Sequence, residues 1–178
     1  MGTKNLLAGV IGCCFLLFWS VSGCSSESQP SGETPAEDHI NVPFTQHGSL
    51  TMSRDGVVFR EINIEIADTD SSRTRGLMQR DKLPADSGML FIFESETQQG
   101  FWMANTRLAL DLIFIRTDGS VQSISKYVQP MSLDSVLSDG PAQYVLEVEA
   151  GYVDSVGLTE GDLIEWTVLD APEAAEKP

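Results

Sequence analysis

The segment Leu108 to Ile115, LALDLIFI, is apolar on both faces of an extended chain except for a single carboxylate. Asp111 shares a strand face with Ala109, Ile113 and Ile115, while Leu108, Leu110, Leu112 and Phe114 occupy the other. Such a strand is expected to be buried at least in part, and its acid with it. An ionised carboxylate in that setting costs several kcal/mol unless it is paired and hydrogen-bonded. Two readings stay open for Asp111. One is structural, an ion pair or a set of backbone N–H donors from a neighbouring turn. The other is a ligand-facing role.

The flanking sequence is rich in strand signals. In SLTMSRDGVVFREINIEIA a turn at Arg54-Asp55-Gly56 separates two strand-like runs. Val58, Ile62, Ile64 and Ile66 of the second run share one face, and Glu61, Asn63 and Glu65 share the other, which predicts a strand with one wet side. Thr69 or Asp70 is placed to cap a short helix through DSSRTRG. GMLFIF then reads as a short buried strand, ESETQQ as a polar loop, and Gly100 to Met103 as the start of another strand. LALDLIFIRTDGSVQSIS is a hairpin signal with Asp118-Gly119 suited to a type I′ turn. QYVLEVE predicts a strand, AGYVDSVG a short helix and DLIEWTVL a final strand. Seven or eight strands and two short helices make this an α+β, β-dominated fold, a compact and mostly antiparallel sheet or an open barrel.

The ends have a different character. Met1 to Lys4 is a short basic start, Leu6 to Val21 is mostly apolar, and Val21-Ser22-Gly23-Cys24 follows. A spanning helix needs about 20 apolar residues, whereas an export signal has a shorter core and small residues at its cleavage site. Val-Ser-Gly-Cys resembles a bacterial lipobox. That resemblance implies a lipoprotein signal over residues 1–23, lipidation of Cys24 and a chain held to a membrane by acyl groups. Ser25 after the cysteine favours the outer membrane, so the expected location is the cell envelope, facing the periplasm. Residues 24–43 are too polar to offset chain entropy and read as a disordered tether. Residues 170–178 read likewise as a disordered tail, leaving 44–169 as one domain.

Absent chemistry narrows the function. Of three cysteines, Cys13 and Cys14 lie in the signal and Cys24 is the lipidation site, so no disulfide or catalytic thiol is expected. His39 and His47 are the only histidines, and both precede the main body of the domain, which leaves no Ser-His-Asp set inside it. No zinc-type spacing and no nucleotide loop occur, so neither a metal nor a cofactor is expected. Eleven Lys and Arg against 26 Asp and Glu give a formal net charge of −15. That balance argues against nucleic acid as a partner.

Five ordered motifs carry a family resemblance: RGLMQR (Arg75 to Arg80), GMLFIF (Gly88 to Phe93), FWMANT (Phe101 to Thr106), LDLIF (Leu110 to Phe114) and VLEVEAG (Val145 to Gly151). Together they resemble the domain-of-unknown-function family 192. The resemblance implies a small β-rich domain, often exported or lipid-anchored, with no settled activity. Ala104 and Ala109 stand where that family often has Lys and Pro. A catalytic lysine at the first of these positions would be missing here.

The candidate ligand-binding residues are Arg75, Trp102, Asn105, Thr106, Asp111 and Glu147. Arg73, Arg75, Arg80 and Lys82 form a basic island in an acidic chain, and Arg75 is the expected partner of Asp111, because Arg can meet a carboxylate with two parallel N–H bonds. Gly76, unfavourable inside a helix, signals close approach of the backbone to the sheet or to a ligand. For Trp102, with Phe101 and Met103 beside it, the alternatives are core packing or a covered sheet edge on one side and a stacking platform on the other. Asn105 and Thr106 are equally compatible with turn chemistry, and Glu147 with an exposed strand face. Grouped, these polar residues would satisfy one another and line a small pocket. The expected function is a lipid-anchored envelope module binding a small polar ligand, a glycan or a protein partner without catalysis. The alternatives are a hydrolase or lyase on envelope carbohydrate, using Asp111 and Glu147 as paired carboxylates, and a structural partner in secretion or envelope assembly.

Overall fold

A computed structural model describes residues 40–169. The expected signal, the Cys24 lipidation site, most of the tether and the tail lie outside the described residues. Within them, β1 (Gly48–Arg54), β2 (Val57–Ala67), α1 (Asp70–Arg75), β3 (Ser87–Phe101), β4 (Leu110–Ile115), β5 (Val121–Val128), β6 (Val136–Glu149), α2 (Tyr152–Val156) and β7 (Leu163–Val168) follow in order. The strands form one seven-stranded sheet, ordered β5-β4-β6-β3-β2-β1-β7. Only β2 and β3 are parallel. A parallel neighbour requires a crossover, and α1 with the turn after it supplies this one.

Asp55-Gly56 closes the β1–β2 hairpin with both residues at positive φ (52° and 76°), the geometry of a two-residue type I′ turn. At the β4–β5 hairpin only Gly119 is left-handed (φ 85°), and its N–H donates to the Arg116 carbonyl at 3.0 Å. This is a longer loop closed by one glycine, not the expected type I′ turn. The far side of that loop meets β7 through a Ser120–Leu163 bridge. Backbone bonds from Val121 N to Asp162 O (2.8 Å) and Ile164 N to Gly119 O (2.9 Å) accompany it. The two outer strands thus meet at one end, but the sheet does not close.

Both faces of the sheet are covered. One core layer gathers Leu50, Ile64, Leu90, Ile113, Leu146, Val148 and Ile164 with Val153 of α2. The other gathers Met89, Phe91, Leu110, Leu112, Phe114 and Val145 with Leu77, which follows α1. The alternation along β4 therefore sends Leu110, Leu112 and Phe114 into one layer and Ile113 and Ile115 into the other, as the period of two requires.

Three local expectations are corrected. ESETQQ is not a loop: β3 runs unbroken from Ser87 to Phe101, and Thr97, Gln98 and Gly100 pair with Ala142, Pro141 and Leu137 of β6. Cross-strand pairing outweighs the polar composition there, and residues 102–109 form the loop instead. Glu65 is not on a wet face but buried. It accepts from the Arg80 guanidinium, with Nη1 at 3.0 Å, and from the Thr45 N–H. Val58, beyond a register shift at Met52/Ser53, is exposed. Residues just before the domain also engage it, since Arg80 Nη1 donates to Pro43 O (3.1 Å) and Val42 N to Gln79 O (3.1 Å).

Candidate functional site

The turn after α1 opens a cavity over the second core layer. Thr69 caps the helix with a reciprocal Thr69–Ser72 capping box, and the helix stops at Gly76 (φ 47°, ψ −136°). Gly76 is therefore at the helix end and not, as expected, in its interior. A Cβ on it would lie 3.2 Å from Phe91 Cζ, so the backbone passes directly over that ring. Between this turn, β3 and the loop after it lies a cavity of about 260 Å³, lined by Arg73, Arg75, Gly76, Leu77, Met78, Phe91, Phe93, Phe101, Trp102, Thr106 and Glu147 among others. The rings of Phe91 and Phe93 each meet Phe101 edge-on, with centroids 5.0 and 6.1 Å apart.

Glu147 is the chemically distinctive group. Its strand neighbours across β3 and β4 are Met89 and Leu112, both in the same core layer. It is 5 % exposed, and among the described residues no protein group hydrogen-bonds its carboxyl. Burial alone pushes this acid up to about 8, with no compensating pull from a nearby cation. The carboxyl is therefore mostly protonated at neutral pH, both a donor and an acceptor.

The two cations on the lining differ. Arg73 is already engaged: its Nη1 donates to Asp68 O (2.6 Å) and Ile92 O (2.8 Å), its Nη2 to Asp70 (2.6 Å), and its guanidinium lies 5.5 Å from the Phe93 ring centre. Arg75 is exposed, and among the described residues its guanidinium has no partner. Trp102, 63 % exposed, is neither core nor a covered edge. It is one of the residues lining the cavity. Thr106 is buried, with its hydroxyl bonded to Ala104 O at 3.4 Å.

Of the six candidates, Arg75, Trp102, Thr106 and Glu147 converge on this cavity, whereas Asn105 and Asp111 do not. Asn105 occupies a left-handed turn (φ 56°), where its carbonyl accepts from Gln79 N at 3.0 Å. Asp111 is wholly buried in the opposite layer. It accepts from Tyr127 N (2.8 Å), Gly151 N (2.9 Å) and Val153 N (3.1 Å). The expected Arg75–Asp111 pair is therefore not formed, and backbone donors take the place of the cation. Asp111 pairs in register with Val148, and Glu147 with Leu112, which puts the two carboxyls on opposite faces. That arrangement defeats the paired-carboxylate hydrolase. Phe91, Phe93 and Phe101 line the site without having been anticipated, because an aromatic in a strand carries no signal separating core from cavity wall.

Comparison with known proteins adds the following. The model of the DUF192 family, described as an uncharacterized ACR, matches residues 50–166. A UPF0127 protein of Thermococcus sibiricus is 29% identical over 120 residues, covering 65% of this chain and 73% of its own. A crystal structure from Sinorhizobium meliloti, provisionally described as a transcription regulator, is 33% identical with a TM-score of 0.65, covering 70% of this chain and 98% of that one. A protein of unknown function from Novosphingobium aromaticivorans is 30% identical with a TM-score of 0.63, covering 66% and 84%.

Proposed function

The chain belongs to the uncharacterised DUF192 family, and from that premise we propose that it is a non-catalytic binding module of the cell envelope, with the α1-side cavity as its small-ligand site. The observation that carries this reading is the convergence of Arg75, Trp102, Thr106 and Glu147 on one cavity. Ligand sites are mainly apolar concavities with a few placed polar groups, and this one is lined by a cation with no partner among the described residues, a buried acid and four aromatic residues. The lipobox resemblance at Val21 to Cys24 supports tethering to a membrane by acyl chains. The regulator description of the S. meliloti relative is not carried over, since a chain with net charge −15 lacks the balance that phosphate backbones select.

A fragment screen followed by backbone NMR tests the site. Hits should shift the amides of Gly76, Phe101 and Thr106 while leaving Tyr127 and Gly151 on the other face unmoved, and Trp102→Ala should weaken them. A broad screen with no hit at the cavity would end the reading. For the anchor, Cys24→Ala should release the protein from membranes, and an unlipidated cytoplasmic form of the unaltered protein would contradict it.

One observation favours a second reading, a structural partner in envelope assembly. Trp102, Leu133 (79 % exposed) and Leu137 (53 %) present apolar surface on adjacent segments, joined where Met103 N donates to Ser132 O and Gly100 pairs with Leu137. Recovery of a stoichiometric protein from membranes, lost in Leu133→Ser, would favour it over the small ligand.

A further inference from the structure

We propose that the α1-side cavity selects a small anion with an apolar body and an uncharged oxygen at its far end. Arg75 would hold the anionic group at the rim, and the Glu147 carboxyl would meet the oxygen at the wall. This inference rests on the small-ligand reading above and names the ligand class.

Desolvation sets the protonation state of Glu147. Glu147 lies between Met89 and Leu112, with no donor to its carboxyl among the described residues. An ionised acid there would be a buried charge without a partner, which is far costlier than a neutral one. The displaced titration of this group agrees with that geometry. A protonated carboxyl can donate to a ketone or ether oxygen, which the ionised form, an acceptor only, cannot do. Phe91, Phe93 and Phe101, on the same lining, offer only apolar contact.

An ammonium ligand is the obvious rival, because a buried acid could ionise to receive it. The charged groups facing the site argue against this. Among the described residues, Arg73 and Arg75 from α1 are the only other charged residues on the lining; Arg73 is paired with Asp70, and Arg75 would repel an entering cation. Phe91, Phe93 and Phe101 from β3, the Met89 and Leu112 neighbours, and Thr106 from the loop add no titratable group. With Arg73 committed to Asp70 and two carbonyls, Arg75 is the cation with donors to spare for an anion.

Four probes separate the cases, each titrated into the purified full chain and followed at the Gly76, Phe101 and Thr106 amides: 4-methoxyphenylacetate, phenylacetate, 4-methylanisole and 4-(aminomethyl)phenylacetate. The first should bind roughly tenfold more tightly than the second and third, each of which lacks one recognised group. Its affinity should hold between pH 6 and 7 and fall by about tenfold per pH unit once Glu147 ionises. Glu147→Gln, which keeps a donor and an acceptor, should retain binding and lose that pH dependence, whereas Arg75→Ala should remove the preference for the acids over 4-methylanisole. The pH profile of the unaltered protein keeps the proposal testable even if a variant fails to fold. Tightest binding by the ammonium probe, with affinity rising from pH 7 to 9, would overturn it. So would a flat pH profile, or no response at the cavity to any of the four. Hits of other chemistry in the broader screen would then leave the small-ligand reading standing without this one.

Discussion

Three backbone N–H groups converge on Asp111, whereas among the described residues no donor reaches Glu147 on the neighbouring strand. The first carboxylate is satisfied and pins two segments at once, the start of α2 through Gly151 and Val153 and the end of β5 through Tyr127. Asp111→Asn leaves the shape but replaces one charged acceptor oxygen with an amide donor. It should cost about 3 kcal/mol in urea unfolding, since bonds to a charged acceptor are each worth about 1.5–3 kcal/mol. Probe binding at the cavity should be unchanged, because Asp111 faces the other layer. A loss of binding with stability intact would return Asp111 to the site. That LDLIF holds an acid needing several donors was legible from its apolar neighbours. Which donors serve it was not, because backbone N–H groups from residues 127 to 153 leave no trace in side-chain identity. The same blindness hid Arg80 as the partner of Glu65, a residue whose strand position alone suggests a wet face.

At the scale of elements, the pieces that bracket the site are set by local chemistry. The Thr69 cap starts α1, Gly76 ends it, and the β3–β6 pairing places Glu147 beneath the turn between them. Gly76 combines a backbone conformation that L side chains rarely adopt with contact against Phe91. Gly76→Ala should therefore destabilise by about 1–3 kcal/mol and narrow the cavity, read as a lower thermal midpoint together with weaker probe binding. An unchanged midpoint would mean that the turn relaxes freely and does not shape the site. The strands, both helices and the hairpin at Asp55-Gly56 were readable from periodicity and turn residues. The length of β3 was not, because ESETQQ owes its strand state to β6 alone. Thr106 and Trp102 were recognisable as candidates, but the aromatic wall behind them was not, since nothing in FIF or GFW distinguishes a ring facing a void from one facing another ring.

For the whole molecule, Glu147 is a liability to folding. Its acid is near 4.5 when the chain is unfolded and about 8 when folded. Below about pH 4.5 both states hold the proton and the group is neutral to stability. Between there and about pH 8 the folded state binds one more proton than the unfolded state, so stability falls as pH rises, by about 1.4 kcal/mol per unit, and levels off above. Glu147→Gln removes this slope. The stability of the variant relative to the unaltered protein should rise by about 5 kcal/mol between pH 4 and pH 9, with the other carboxylates cancelling in the difference. Parallel stability curves would show that the acid is not displaced. A group that costs this much is the kind of departure from local consistency that marks a binding site more than a scaffold.

The state of one carboxyl sets the chemistry of the cavity, and carbon NMR reads that state directly. Glu147 Cδ, assigned by comparison with Glu147→Gln and followed from pH 3 to pH 10 in the folded protein, should titrate with a midpoint of about 8. A midpoint near 4.5, where an ordinary glutamate titrates, would mean that the acid is solvated or paired, and the cavity would lose the group that gives it its chemistry.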